Sequence, residues 1–114
     1  MNSDKSFEEK YNDLGAFEYH DDGFTIAFDG FVKTLKWNEI TEMNAYKADM
    51  FTTDRIEVEI VYGDKAFSIS EDLPGWYQFV EKIKNIFDTI PKDWDTKIVQ
   101  PAFATNWTNI YKSD

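Results

Sequence analysis

The amphipathic stretch from Glu71 to Ile90 most constrains how this chain of 114 residues can fold. Its large apolar side chains recur at helical spacing and form one stripe: Trp76, Phe79, Val80, Ile83, Phe87 and Ile90. We predict one long helix here, because Asp72 suits an N-terminal cap, Pro74 suits a first turn and Pro91 prevents continuation. A helix with such a stripe needs a sheet to pack against.

Short segments of alternating apolar and polar residues before the helix predict that sheet. The clearest strand is 55–62, where Ile56 and Val58 alternate with Glu57 and Glu59 and give one buried and one wet face. Asp-Gly and Gly-Asp pairs mark turns between strands. Residues 48–54 are predicted to form a loop. The other strands are expected at 16–20, 24–28, 31–37, about 41–47 and 65–70.

Two motifs mark the ends of the predicted sheet region. Trp37-Asn38-Glu39-Ile40 follows a strand, and Glu71-Asp72-Leu73-Pro74-Gly75-Trp76 opens the final helix. With this order of elements, the chain over residues 15–90 resembles the pleckstrin-homology-like (PH-like) superfold, and more narrowly the small bacterial PH-like domains. The resemblance implies an α+β fold with a bent antiparallel sheet, or half-barrel, of six to seven strands. One C-terminal amphipathic helix would cap it.

The two segments outside residues 15–90 differ from each other in composition. Residues 1–14 are interpreted as an acidic N-terminal arm, and residues 91–114 as an aromatic C-terminal extension packed on the domain. A disordered tail would not carry so many large apolar groups. The extension either folds back over a sheet face or edge, or offers a hydrophobic surface to a partner or a second copy. The spacing of Phe103, Trp107, Ile110 and Tyr111 permits a short amphipathic helix.

The charge of the chain favours some partners over others. The net charge is −10, and the first thirty residues hold eight acidic and only two basic side chains. Nucleic acids and anionic membranes should repel such a chain, and a basic protein partner is favoured. Solubility alone would also explain the charge. The N-terminus resembles no secretion signal and no stretch is apolar enough to span a membrane, so a cytoplasmic protein is expected.

No catalytic or cofactor motif stands out in the sequence. The chain has no Cys, a single His and no Gly-rich phosphate loop, so we expect no enzyme activity, no cofactor and no metal. His20-Asp21-Asp22 could bind a metal weakly, but a solvated hairpin turn explains it better. Surface residues are the remaining candidates for binding a partner: Asp21, Asp22, Asp49, Met50, Phe51 and Asp54.

These observations favour a non-enzymatic, acidic protein-binding domain. Similar small acidic proteins occur among bacterial immunity proteins, and that resemblance implies neutralisation of a basic partner. Two alternatives stay open. One is a small-ligand-binding domain with an aromatic-lined cavity. The other is a structural subunit that dimerises through its C-terminal tail, so that the protein would be either a monomer or a homodimer.

Overall fold

Seven strands and two α-helices follow one another in the computed structural model, which describes residues 15–49, 54–98 and 107–113. A 3₁₀ turn at Trp37–Glu39 separates the third strand from the fourth. The helices are α1 (Trp76–Ile86) and α2 (Trp94–Lys97). The strands are β1 (Phe17–His20), β2 (Gly23–Phe28), β3 (Phe31–Lys36), β4 (Ile40–Asp49), β5 (Asp54–Tyr62), β6 (Lys65–Ser70) and β7 (Trp107–Lys112).

The strands form two antiparallel sheets. The first has the order β1-β2-β3, and the second has the order β6-β5-β4-β7. No strand of the described residues belongs to both sheets, so the arrangement is not a closed barrel. These two sheets and the helix confirm the predicted α+β class. No helix in the described ranges is long and apolar enough to cross a membrane.

The apolar stripe of α1 fills the space between the sheets. Phe79 is fully buried, and its ring lies 4.8 Å from that of Phe17 and 5.2 Å from that of Phe24. The prediction that six residues form one buried stripe is confirmed, because all of them are at most 8% exposed: Trp76, Phe79, Val80, Ile83, Phe87 and Ile90.

The predicted ends of the long helix are wrong. Gly75 precedes the first helical residue with φ of 92°, so neither Asp72 nor Pro74 lies in the helix. The Pro74 carbonyl instead accepts a hydrogen bond from the Ala16 N–H at 3.0 Å, which ties the segment to the start of β1. The helix ends at Ile86, and a turn carries the apolar stripe on to Ile90.

The predicted ends of the loop at 48–54 are also wrong, while residues 50–53 lie outside the described residues. β4 continues to Asp49 and β5 begins at Asp54, and these two residues are paired across the hairpin. The sequence period of β4 is unclear because register shifts interrupt its pairing, at Ile40/Glu42 towards β5 and at Met43/Asn44 towards β7.

Three of the four residues for which the sequence permitted a short helix, Trp107, Ile110 and Tyr111, lie in strand β7 (Trp107–Lys112) instead, and Phe103 lies outside the described residues. This strand pairs antiparallel with β4 and occupies the edge that β4 would otherwise expose. Ile110 is 3% exposed, and the ring of Tyr111 lies 4.5 Å from that of Phe87. Pairing with an open sheet edge has therefore overridden the helical spacing of the apolar residues.

Candidate functional site: an apolar groove along β6

An open groove of about 390 Å³ lies between the tip of the β2–β3 hairpin and strand β6. Its aromatic side chains are close together, since the ring centroids of Phe31 and Phe67 are 5.5 Å apart. Phe28 and Phe31 are 49% and 45% exposed. We call this feature the β6 groove. Its lining residues are Ile26, Phe28, Phe31, Arg55, Phe67, Ser68, Ile69, Ser70, Asp72 and Leu73.

A tight turn explains why two Phe rings stand at the mouth of the groove. Asp29 and Gly30 both have positive φ, 53° and 85°, as a two-residue hairpin loop of this type requires. This turn pairs Phe28 directly with Phe31, and paired residues point to the same face of a sheet. Both rings therefore face β6 at the end of the hairpin and remain half exposed.

A charged cluster lies at the other end of the groove. The Arg55 guanidinium lies 2.9 Å from a carboxylate oxygen of Glu57 and 3.7 Å from one of Asp72. Hydrogen bonds to Glu57 raise the pKa of Arg55. A further carboxylate, that of Glu71, accepts a hydrogen bond from the Ile56 N–H at 3.0 Å. Two carboxylates thus pair with the Arg55 cation, and the Glu71 carboxylate is held at the neighbouring Ile56 N–H, so acidic groups outnumber basic ones here.

The outer face of the second sheet continues from the groove as a polar surface. The Tyr46 hydroxyl donates to Glu57 at 2.9 Å, and the Asn44 amide donates to Glu59 at 3.1 Å. The exposed Trp107 ring stacks on Tyr46 with centroids 5.1 Å apart. The prediction that Glu57 and Glu59 lie on the wet face of their strand is confirmed. Both glutamate carboxylates on this face accept hydrogen bonds from side chains of β4.

The first two predicted partner-binding residues lie in the turn between β1 and β2. Asp21 and Asp22 are exposed, and a carboxylate oxygen of Asp22 lies 3.9 Å from the Lys36 ammonium. Neither residue lines the β6 groove. The neighbouring His20 shares a 2.8 Å hydrogen bond with the Thr25 hydroxyl. Across the described part of the chain, no three His or acidic side chains are grouped to hold a metal ion.

The other predicted partner-binding residues lie at the far end of the second sheet. Asp49 and Asp54 pair at the end of the β4–β5 hairpin, while Met50 and Phe51 lie outside the described residues. The turn that contains Asp22 contacts the chain just before β4 begins, whereas Asp49 is the last of its ten residues. A strand of that length spans about 30 Å, so the structure does not bring the two acidic pairs together.

The sequence interpretation did not include the β6 groove among the candidate sites. Some signals were available, because Asp29-Gly30 predicts the hairpin and alternation directs Phe67 inward. That the hairpin tip faces β6 depends on how the two sheets pack. No local pattern encodes that arrangement.

Comparison of the chain with protein-family models, with curated proteins and with solved structures gave no match.

Proposed function

We propose that this chain is a non-enzymatic protein-binding domain that captures and masks a basic partner, as a bacterial immunity protein masks a toxin. One observation carries the proposal: half-exposed aromatic rings line an open groove, and at its other end Arg55 is paired with the carboxylates of Glu57 and Asp72. Exposed aromatic side chains are typical anchors of protein interfaces. The net charge of −10 steers basic partners towards such a surface.

We also propose that the two sheets and α1 form a PH-like half-barrel. The order of β1 to β6 before the helix supports this, as does the Trp37–Glu39 turn after β3. The seventh strand differs from the expectation, since it follows the helix and joins β4. In this proposal, β7 is an addition specific to this chain.

A small-ligand-binding domain is the second candidate function. The groove volume of about 390 Å³ lies within the range of small-molecule sites, and its walls are mostly apolar. Arg55 already binds two carboxylates, so it is a weak anchor for an anionic ligand. Dimerisation through the tail has less support, because residues 107–112 pair with β4 of the same chain.

Capture from a lysate of the native host tests the main proposal. The bait is the immobilised full chain, and the comparison uses two variants, Phe31→Ser in the groove and Tyr77→Ser on an exposed position of α1 outside the groove. We expect a basic protein to bind the wild type and Tyr77→Ser at low salt, to elute at high salt and to be lost from Phe31→Ser. The captured protein's own activity should fall when the chain is bound.

If the captured protein stays bound at high salt and also binds Phe31→Ser as well as it binds the wild type, the proposal is contradicted. If no protein is captured and a small-molecule library raises the Tm of the wild type but not of Phe31→Ser, the second candidate function replaces it. Circular dichroism of each variant shows that the fold is intact.

A further inference from the structure

We infer that the basic partner binds through an extended segment that adds as a strand to the free edge of β6. This inference rests on the proposed function and specifies the shape and sequence pattern of the partner at that site. Strand addition of this kind takes its affinity from main-chain hydrogen bonds and its specificity from alternate side chains. Three features of the groove lead to it.

The first feature is that the groove runs along the edge of β6. Four consecutive residues, 67–70, line the same groove. Successive side chains of a strand point to opposite faces of its sheet, so Phe67 and Ile69 face inward while Ser68 and Ser70 face outward. A groove that touches both faces of one strand has to pass along that strand's edge. The backbone of β6 is therefore open to whatever occupies the groove.

The second feature is the direction of the backbone groups along this edge. Both the N–H and the C=O of Ile56 bond to Glu71, on the β6 side of β5. Backbone groups of an antiparallel strand alternate between its two neighbours, so Val58 and Ile60 also face β6. Their partners, Ile69 and Phe67, point back to β5.

It follows that the N–H and C=O groups of Ala66 and Ser68 point away from β5, towards the groove. The Ser70 carbonyl also points outward, and it accepts a hydrogen bond from the Leu73 N–H at 3.0 Å, which marks the end of the open stretch. Among the described residues, no strand pairs with this edge. An edge of this kind is a template for another strand.

The third feature is that the two sides of the edge differ in chemistry. On the inner side, side chains of an added strand would meet Ile26, Phe28 and Phe31. On the outer side they would cross the small side chains of Ser68 and Ser70 towards Glu59 and Glu57, the residues paired with these serines. Glu59 lies about 10 Å from the position of the added strand, a distance that a lysine and a glutamate side chain span together.

The occupant is therefore a strand in which apolar residues alternate with Lys or Arg. A second copy of this chain is disfavoured, because each copy carries a net charge of −10. A cationic segment of another protein complements both the apolar lining of the groove and the glutamates on the outer face of β5 beyond Ser68 and Ser70.

A synthetic peptide tests this inference without knowledge of the natural partner. The probe alternates lysine and valine and matches the six residues of β6, and a peptide alternating glutamate and valine is its control. Binding to the full-length protein is measured by NMR titration, together with hydrogen exchange of the backbone amides. We expect the lysine peptide to bind and the glutamate peptide not to bind. The bound lysine peptide should slow hydrogen exchange of the Ala66 and Ser68 N–H groups.

Two substitutions of one residue isolate the backbone contribution. Ser68→Pro removes the outward N–H without affecting the hydrogen bonds to β5, and Pro is tolerated at edge positions of this kind. Ser68→Ala retains the N–H but, like the Pro variant, loses the serine hydroxyl. We expect Ser68→Pro to weaken peptide binding about tenfold and Ser68→Ala to leave it nearly unchanged, because one net backbone hydrogen bond is lost. Methylation of alternate peptide nitrogens should weaken binding in the same way.

Three results would overturn strand addition: no binding of the lysine peptide, binding without protection of Ala66 and Ser68, or equal affinity of the two variants. Protection of these amides that grows with protein concentration in the absence of peptide would instead identify a second copy as the occupant. A basic protein captured equally by both variants would refute strand addition and leave the proposed function standing. If Phe31→Ser no longer captures the protein and the Ser68→Pro variant binds the peptide more weakly than Ser68→Ala does, both the proposed function and strand addition are supported.

Discussion

At the scale of single residues, Tyr19 is the titratable group that burial alters most clearly. Its hydroxyl is buried and has no hydrogen-bond partner among the described residues. Burial raises the pKa of Tyr19 to about 12, although the Lys82 ammonium lies 5.2 Å from the centre of its ring. The folded state therefore favours the neutral phenol more strongly than the unfolded state does.

Tyr19→Phe tests this effect on stability. A pKa raised on folding gives a contribution that is complete below pH 10, the ordinary value for tyrosine, and is lost as the pH rises towards about 12. We expect wild-type stability to fall over this range, and to fall less in Tyr19→Phe, when urea unfolding is followed at increasing pH. Tyr77→Phe is the matched control, since Tyr77 is 77% exposed. Equal alkaline losses in the wild type and Tyr19→Phe would contradict the assignment.

Alternation in the sequence identified much of the buried apolar core, including Phe24, Ile26 and the inward side of β5. It did not identify the buried polar residues. Lys84 is 8% exposed, and its ammonium lies 2.9 Å from a carboxylate oxygen of Asp95. A lysine can be buried at low cost when a carboxylate from another part of the chain pairs with it. The local alternation of polar and apolar residues does not show where such a partner will lie.

At the scale of elements, β7 is held by side chains as well as by its backbone. The Asn109 amide donates to Asn44 at 2.9 Å and to Glu42 at 3.2 Å. Asn44 is only 3% exposed, and its own amide donates to Glu59. The row of polar groups from β7 to β5 therefore depends on Asn109 for one of its donors.

Asn109→Ala should lower the free energy of unfolding by about 1–2 kcal/mol, because the nearly buried carbonyl oxygen of Asn44 loses its donor. Thr108→Ala is the control, since Thr108 is an exposed neighbour on the same strand and faces the other way. Urea unfolding of the two variants measures the difference. Equal stabilities would show that β7 is held by its backbone and apolar contacts alone.

The sequence predicted which strands and helices form more accurately than it predicted the residues at which they begin and end. Six strands and the amphipathic helix were expected in the correct order, because periods of two and of 3.6 residues are local properties. The predicted start of α1 was wrong because Gly75 adopts a left-handed conformation and the Pro74 carbonyl accepts a hydrogen bond from the Ala16 N–H. For β7, the sequence permitted a helix, and only the presence of the β4 edge decides in favour of a strand.

At the scale of the whole molecule, the net charge of −10 should oppose the compact state. Neutralising Glu18, Asp64 and Asp88 to their amides should raise the Tm at low salt by about 4 °C, which corresponds to roughly 1 kcal/mol in a domain of this size. All three side chains are exposed. The difference from the wild type should vanish at about 1 M NaCl, where charges are screened beyond about 3 Å. Thermal unfolding at both salt concentrations measures it, and a wild-type Tm unaffected by salt would contradict the prediction.

The charge and the class of the fold could be predicted from the sequence, but the position of the candidate site could not. Of the acidic residues chosen from the sequence, Asp21 and Asp22 lie in a turn near the start of β4, whereas Asp49 and Asp54 are paired strand residues at its far end. The β6 groove instead combines residues of the β2–β3 hairpin with residues near 55 and 70. Such a site exists only after the two sheets have packed against α1.

The pairing of β4 with β7 has a consequence for synthesis on the ribosome. Asn44 and Asn109 are 65 residues apart in the chain, and the two helices are made between them. The nascent chain therefore exposes the edge of β4 until its late partner has been translated. Because unpaired strand edges associate with other chains, the nascent chain should be more prone to aggregate during this interval than after β7 has paired.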